Sequence, residues 1–221
     1  NGDQEAALSA CQRIQNSTQR QLQSIDALLE HSSAETQPCE GQEVDLNRLL
    51  REVLEDLSMQ VQESRATISL NPLQKVYADP QHLREIFLNL ISNALKYRRP
   101  RISPIIEIGM EDVANPDWQR FYVLDNGLGM SQSELEKVFQ RFERANKSTK
   151  KKGSGLGLSL CTELMEKNNG WIEVSSEPQK GTKFVIVFPA RVFPGRKKEA
   201  STPKQQEQAS ADKELGSFSA T

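Results

Sequence analysis

The apolar positions of this 221-residue chain change their period several times, and each change marks an element. Leu8, Cys11, Ile14, Thr18, Leu22, Ile25 and Leu29 keep close to a three-four spacing over residues 5–32, the narrow stripe of a helix that packs in a bundle. An ordinary amphipathic helix lying on the main domain is the alternative. The polar stretch after it holds Pro38 and Gly41 and reads as a linker. A second amphipathic helix is predicted over 46–61, with Leu46, Leu50, Val53, Leu57 and Val61 on one side and Asp45 as its cap. Short strands at 66–70 and 74–78 are split by the Asn71-Pro72 turn, and two longer ones follow at 104–110 and 118–124. A strand pair at 171–175 and 183–189 closes the pattern, and the alternation in TKFVIVF predicts a half-buried strand. Beyond Pro194 almost no apolar residue remains, which predicts a disordered tail.

One stretch carries two patterns at once. From Leu83 to Tyr97, the positions Leu83, Phe87, Leu90 and Ala94 make a core-facing helical stripe. Asp79 and Pro80 supply its start signal. Asn89, Asn93, Lys96 and Tyr97 form a second, polar stripe beside it. Asparagine is a mediocre helix former, so two of them one turn apart need a reason. A solvated face is one reading. The other is chemical: two neutral amide oxygens suit a hard cation, an ammonium suits phosphate, and an aromatic ring suits a base or ribose.

Further along, the strand FYVL runs into Asp125-Asn126-Gly127-Leu128-Gly129-Met130, which places a carboxylate at a strand end beside a backbone that a ligand can approach closely. A tight turn with a solvated aspartate is the plain alternative. The SQSE capping box that follows shapes the segment into a strand-loop-helix unit. Arg141, Arg144 and Lys147, with Lys150 to Lys152, make a cationic loop that is either solvated or set to neutralise a polyphosphate. Gly153, Gly155 and Gly157 then open a helix whose first amides form an anion site. The spacing is neither a P-loop nor a dinucleotide fingerprint.

Composition narrows the class. A net charge of -2 gives no sign of the strong basic excess of a nucleic-acid binder. There is no apolar run of membrane-spanning length, and the chain opens on Asn1 rather than Met, so it reads as the soluble part of a longer protein. Cys11, Cys39 and Cys161 lie far apart without a CxxC, which argues against a zinc site or a disulfide framework and suggests reduced thiols in a cytoplasmic setting.

Taken in order, LNLISNALKY, DNGLGM, VFQRF, GSGLGLSL and GTKF resemble the N box, first glycine box, F box and later glycine boxes of sensor histidine kinases, within the wider gyrase, histidine kinase and mismatch-repair ATPase family. The match covers about residues 45–189, and the first helix, through SIDALLEHS, resembles the second helix of the dimerisation and histidine-phosphotransfer hairpin. The resemblance implies an α/β two-layer sandwich of the Bergerat type, a mixed and largely antiparallel sheet with helices on one face, preceded by one bundle helix. It divides the chain into an incomplete hairpin (1–33), a linker (34–44), an ATP-binding catalytic domain (45–190) and a tail (191–221).

It also implies ATP and Mg²⁺. Asn93 would coordinate the metal with Asn89 supporting it, Lys96 would meet phosphate, and Tyr97 would line the nucleotide. Asp125 would accept from the adenine amine, with Gly127, Gly129 and Thr182 completing the base pocket. Arg144 would contact the γ-phosphate, and Phe142, Gly153, Gly155, Leu156, Gly157 and Leu158 would form the lid side. Asn89, Lys96 and Arg144 are the catalytic candidates among them. The implied reaction moves the γ-phosphoryl of ATP to a histidine, then to an aspartate of a response regulator receiver domain, in a homodimer built on the hairpin. No phosphoacceptor is expected here: His31 and His82 both lack an acidic residue after them and read as packing or surface residues. A gyrase-type ATPase switch and a nucleotide-binding regulatory module without kinase activity are the rival readings.

Overall fold

The computed structural model describes residues 39–112, 115–140 and 156–190. The expected bundle helix with His31, the loop cations from Arg141 to Lys152, Phe142, Arg144, Gly153, Gly155 and the tail beyond Pro194 lie outside the described residues. In chain order the elements are β1 (Gln42–Val44), α1 (Leu46–Asp56), α2 (Ser58–Ser64), β2 (Thr67–Leu70), β3 (Val76–Ala78), α3 (Pro80–Lys96), β4 (Ile105–Glu111), β5 (Trp118–Asp125), α4 (Gln132–Leu135), α5 (Gly157–Lys167), β6 (Trp171–Glu177) and β7 (Gly181–Pro189).

A five-stranded sheet runs in the order β2-β4-β5-β7-β6, parallel between β2 and β4 and antiparallel elsewhere. Ile106, Ile108, Phe121, Val123, Phe184, Ile186 and Phe188 are buried on its inner face, where α1, α3 and α5 pack. This is the expected mixed, largely antiparallel two-layer arrangement.

Three details differ from the sequence reading. Gln42–Val44, expected within the linker, pairs antiparallel with Val76–Ala78, and Val44, Val76 and Ala78 are buried there. With one apolar residue in three, β1 is too short to show a period. The helix expected over 46–61 breaks into α1 and α2 at Leu57, which has φ −88° and ψ 2°. Leu57 at the break is buried like Leu50 and Val53, while α2 buries none of its residues and leaves Met59 70% exposed.

Finally, β7 is not half-buried. Phe184 through Phe188 are all buried, because β7 is an interior strand whose outer face is covered by long polar side chains. On that face Arg120 makes a bidentate pair with Glu173 (3.0 and 2.7 Å) and a third bond to Glu111 (2.7 Å). Lys183 Nζ reaches Glu111 at 2.6 Å and lies 4.7 Å from the Tyr122 ring centroid, and the Tyr122 hydroxyl donates to Glu107. Burial opposes ionisation of Glu111, but Lys183 and Arg120 outweigh it and hold its carboxyl below the usual range. Gly109 is what lets the Tyr122 ring lie across β4, since a Cβ there would sit 2.5 Å from the hydroxyl oxygen.

Replacing Arg120 by alanine removes the bidentate partner of Glu173 and leaves Glu111 to Lys183, over Val185 and Val187. Arg120→Ala is expected to lower stability by roughly 1–3 kcal/mol, read from the urea midpoint at pH 7. An unchanged midpoint would show the network to be ornamental.

Candidate functional site

Helix α3 begins where its sequence said it would. The Asp79 carboxylate accepts from the Gln81 and His82 amides, and Pro80 occupies the first helical position. Its buried face is wider than the four expected positions, adding Ile86, Ile91 and Leu95, because α1 and α5 pack on it as well as the sheet. The polar stripe survives on the rim: Asn89, Asn93, Lys96 and Tyr97 are each half-buried.

Asn89 is oriented by its neighbour. Its Nδ2 donates to the backbone carbonyl and the Oε1 of Glu85, both at 3.1 Å, which turns Oδ1 toward the start of α5. A Cβ on Gly157 would meet that oxygen at 2.4 Å, so the second glycine box and the N-box helix touch only because residue 157 has no side chain. Asn93 has no side-chain hydrogen bond among the described residues. One fixed and one uncommitted amide oxygen, a turn apart, are neutral hard donors that fit Mg²⁺. Lys96 Nζ stands 5.0 Å from the centroid of the Tyr97 ring.

Tyr97 joins the helix to the next motif. Its carbonyl accepts from the Leu128 amide at 3.0 Å and would lie 2.8 Å from a Cβ on Gly127. At the end of β5, Asp125 Oδ1 accepts from the Gly127 amide at 2.7 Å. Burial pushes the Asp125 carboxyl up to about 6, and the amides of Gly127 and Thr182 only partly offset it. Across the sheet, Asp125 pairs with Thr182 and Thr182 with Ser176. Ser176 Oγ donates to the Gly181 carbonyl (2.8 Å), accepts from the Met130 amide (2.9 Å) and lies 2.9 Å from Thr182 Oγ1.

Two glycines permit this crossing. Gly129 has φ +63° and Gly181 φ +125°, and a Cβ on either would fall 1.9 Å from a carbonyl oxygen, that of Glu177 or Asp125. Leu156 is buried at the start of α5 and Leu158 packs against the core.

The structure thus brings Asn89, Gly157, Tyr97, Gly127, Asp125, Gly129 and Thr182 into one chain of contacts. Three residues with a part in it escaped the sequence reading. Alternation in WIEVSSE would have put Ser176 on the same face as Ile172 and Val174. Glu85 stands one turn before Asn89. Arg99, which bridges the Asn126 and Gln179 carbonyls at 2.7 Å each, had no sequence signal, because one partner is 80 residues away.

Residues 78–192 match the family model described as histidine kinase-, DNA gyrase B- and HSP90-like ATPase. Cyanobacterial phytochrome A of Nostoc sp. is 33% identical over 165 residues, covering 75% of this chain and 21% of that protein. The chain spans between 21% and 35% of the length of the curated relatives it matches. Among solved structures, full-length ShkA in complex with AMPPNP superposes with a TM-score of 0.64 at 25% identity, covering 85% of this chain and 40% of ShkA. Histidine kinase ThkA in complex with the response regulator protein TrrA shares the fold, with a TM-score of 0.62 at 23% identity over 80% of this chain and 49% of ThkA.

The raised Asp125 carboxyl has a sign that can be checked without any ligand. Between the ordinary value of 3.8 and about 6 the folded state holds a proton that the unfolded state has lost, so this group's contribution to stability falls as pH rises through that window. Asp125→Asn removes the effect. The variant should gain melting temperature relative to the parent from pH 4 to 6.5, with the difference level above that. A constant difference across the window would place the carboxylate in water.

Proposed function

Because the chain belongs to the family of histidine kinase-, DNA gyrase B- and HSP90-like ATPases, we propose that it is the ATP-binding catalytic part of a sensor histidine kinase. The observation that carries this reading is the meeting of three motifs on one rim: the Asn89 carboxamide of α3 abuts Gly157, and Tyr97 at the end of α3 abuts the Asp125 loop. A bound nucleotide has its two ends recognised by different chemistry. Asp125 accepts from the exocyclic amine of adenine, flanked by Gly127, Gly129 and Thr182. Tyr97 lines the base or ribose and Lys96 meets phosphate. Asn93, with Asn89 beside it, holds Mg²⁺, which when bound neutralises phosphate oxygens. Phe142, Arg144, Gly153 and Gly155 complete the phosphate side, with Arg144 on the γ-phosphoryl. Leu156, Gly157 and Leu158 wall the start of α5.

Phosphoryl transfer asks the protein chiefly to position and neutralise charge, and this set of side chains does that. The acceptor is a histidine on another helix of the parent protein, in a homodimer joined through the hairpin, and the onward acceptor is an aspartate of a response regulator, the kind of partner found with ThkA. The parent acts in the cytoplasm. In a gyrase-type switch a base would activate water at the position of Asn89, which a carboxamide cannot do. Domain limits of 1–33, 34–44, 45–190 and 191–221 go with this proposal.

Two calorimetric results test the site. Asp125→Asn should weaken ATP binding roughly ten- to a hundredfold, and parent affinity should fall as pH drops below about 6, because adenine selects the ionised carboxylate. Asn93→Ala should weaken binding only when Mg²⁺ is present; an equal loss with and without the ion would sink the metal assignment.

A labelling experiment tests the division of labour. Incubated with γ-labelled ATP and Mg²⁺, this chain should bind nucleotide yet acquire essentially no acid-labile phosphate, since neither His31 nor His82 has an acidic residue after it. A chain extended upstream through a histidine-bearing hairpin helix should become labelled. Stoichiometric labelling of His31 or His82 would overturn this.

A further inference from the structure

At the other end of α3, about 20 Å along the helix from Asn93, three metal-ligating side chains from different stretches of sequence converge. Ligand atoms of Cys39, Asp79 and His82 all lie within 4.8 Å of one another. Asp79 and His82 are buried, at 8% and 6% exposure, and Cys39 is exposed just ahead of β1. Asn168, the buried cap at the end of α5, organises all three. Its Oδ1 accepts from the Asp79 amide (2.8 Å) and from Cys39 Sγ (3.5 Å), and its Nδ2 bonds His82 Nδ1 (3.1 Å) and the Leu164 carbonyl (2.7 Å).

Capping α3 accounts for the Asp79 carboxylate, whose oxygens also receive the Gln81, His82 and Glu40 amides. It does not account for a thiol and an imidazole gathered round the same carboxylate. We propose that Cys39, Asp79 and His82 bind a thiophilic divalent cation of the Zn²⁺ type, with water as the fourth ligand.

The donor set is right for such an ion: one thiolate, one imidazole nitrogen and one carboxylate oxygen. Burial keeps His82 neutral, and acceptance from Asn168 makes Nδ1 the unprotonated nitrogen. The metal takes that lone pair, while Asn168 Nδ2 keeps the Leu164 carbonyl. Burial and then Asp79 raise the Cys39 thiol above its ordinary range, so the free site holds S–H; the dication forms the metal–sulfur bond and releases that proton to solvent. Lys167, whose charge reaches both Cys39 and His82, opposes the ion, and Asp79 offsets it. Bonds of about 2.0–2.3 Å bring ligand atoms to roughly 3.5 Å apart. Exposed Cys39 supplies the remaining movement of about 1 Å. Occupation would tie the segment entering β1 to the helix that carries Asn89 and Asn93.

Co²⁺ alone, titrated into the reduced full chain, tests this without ATP. The expected result is one equivalent bound with the visible spectrum of four-coordinate cobalt and a thiolate-to-metal charge-transfer band. Both should disappear in Cys39→Ser, an exposed change that leaves the fold intact by circular dichroism, and persist in Cys11→Ser and Cys161→Ala. His82→Gln, if folded, should also lose them. Absence of the charge-transfer band, its survival in Cys39→Ser, or its loss in Cys11→Ser would overturn the proposal.

Discussion

The burial of α3 is the constraint from which the rest of the domain follows. Its apolar face, from Leu83 to Leu95, is enclosed by the sheet, α1 and α5. Once that face is fixed, the polar stripe one side over has a single orientation, at the rim. That places Asn89 and Asn93 at the rim, and Glu85 then sets the direction of the Asn89 amide. The helix ends are fixed by other means: Asp79 closes the first turn, and the Tyr97 carbonyl ties the last turn to the loop after β5.

The opposite wall depends on backbone proximity. Asp125, Thr182 and Ser176 form a row across three strands, and the loop holding Gly127 and Gly129 folds over the turn between β6 and β7. Gly129 and Gly181 sit at carbonyl contacts that no side chain could share, so this corner is a close-packed backbone junction. Such a junction partly buries Asp125, which is why its carboxyl rises while two amides still point at it. The strain on the charge and the capacity to recognise an amine have the same source.

Among the described residues, the outer face of the sheet is covered by side chains and not by helices. Arg120, Glu111, Glu173 and Lys183 lie across Val185 and Val187, using their aliphatic stems as cover and their charged ends as a closed network. Among the described residues the fold thus has one layer of helices, and the rim where α3, α5 and the β5 loop meet lies on that side of the sheet.

By itself the sequence determined the elements whose period is long or whose boundary has a chemical signal. Helix α3, with Asp79, Pro80 and its two stripes, was legible because its apolar face repeats over about three turns and its polar face over about two. Strands β4 to β7 and the Asp125 loop were legible because runs of β-branched and aromatic residues are bounded by turns rich in Gly, Asn and Pro. The ordered glycine boxes identified the kind of site. Only the tertiary structure decided the pairing of β1, the break at Leu57, the full burial of β7, and the roles of Ser176 and Arg99. Cys39, Asp79, His82 and Asn168 are the sharpest instance: spread over 130 residues, with the scattered cysteines giving no sign of a zinc site, they stand together only in the fold. Periodicity and capping are local and survive in one dimension. Contacts between distant segments depend on how buried faces are stacked, and no local pattern encodes that.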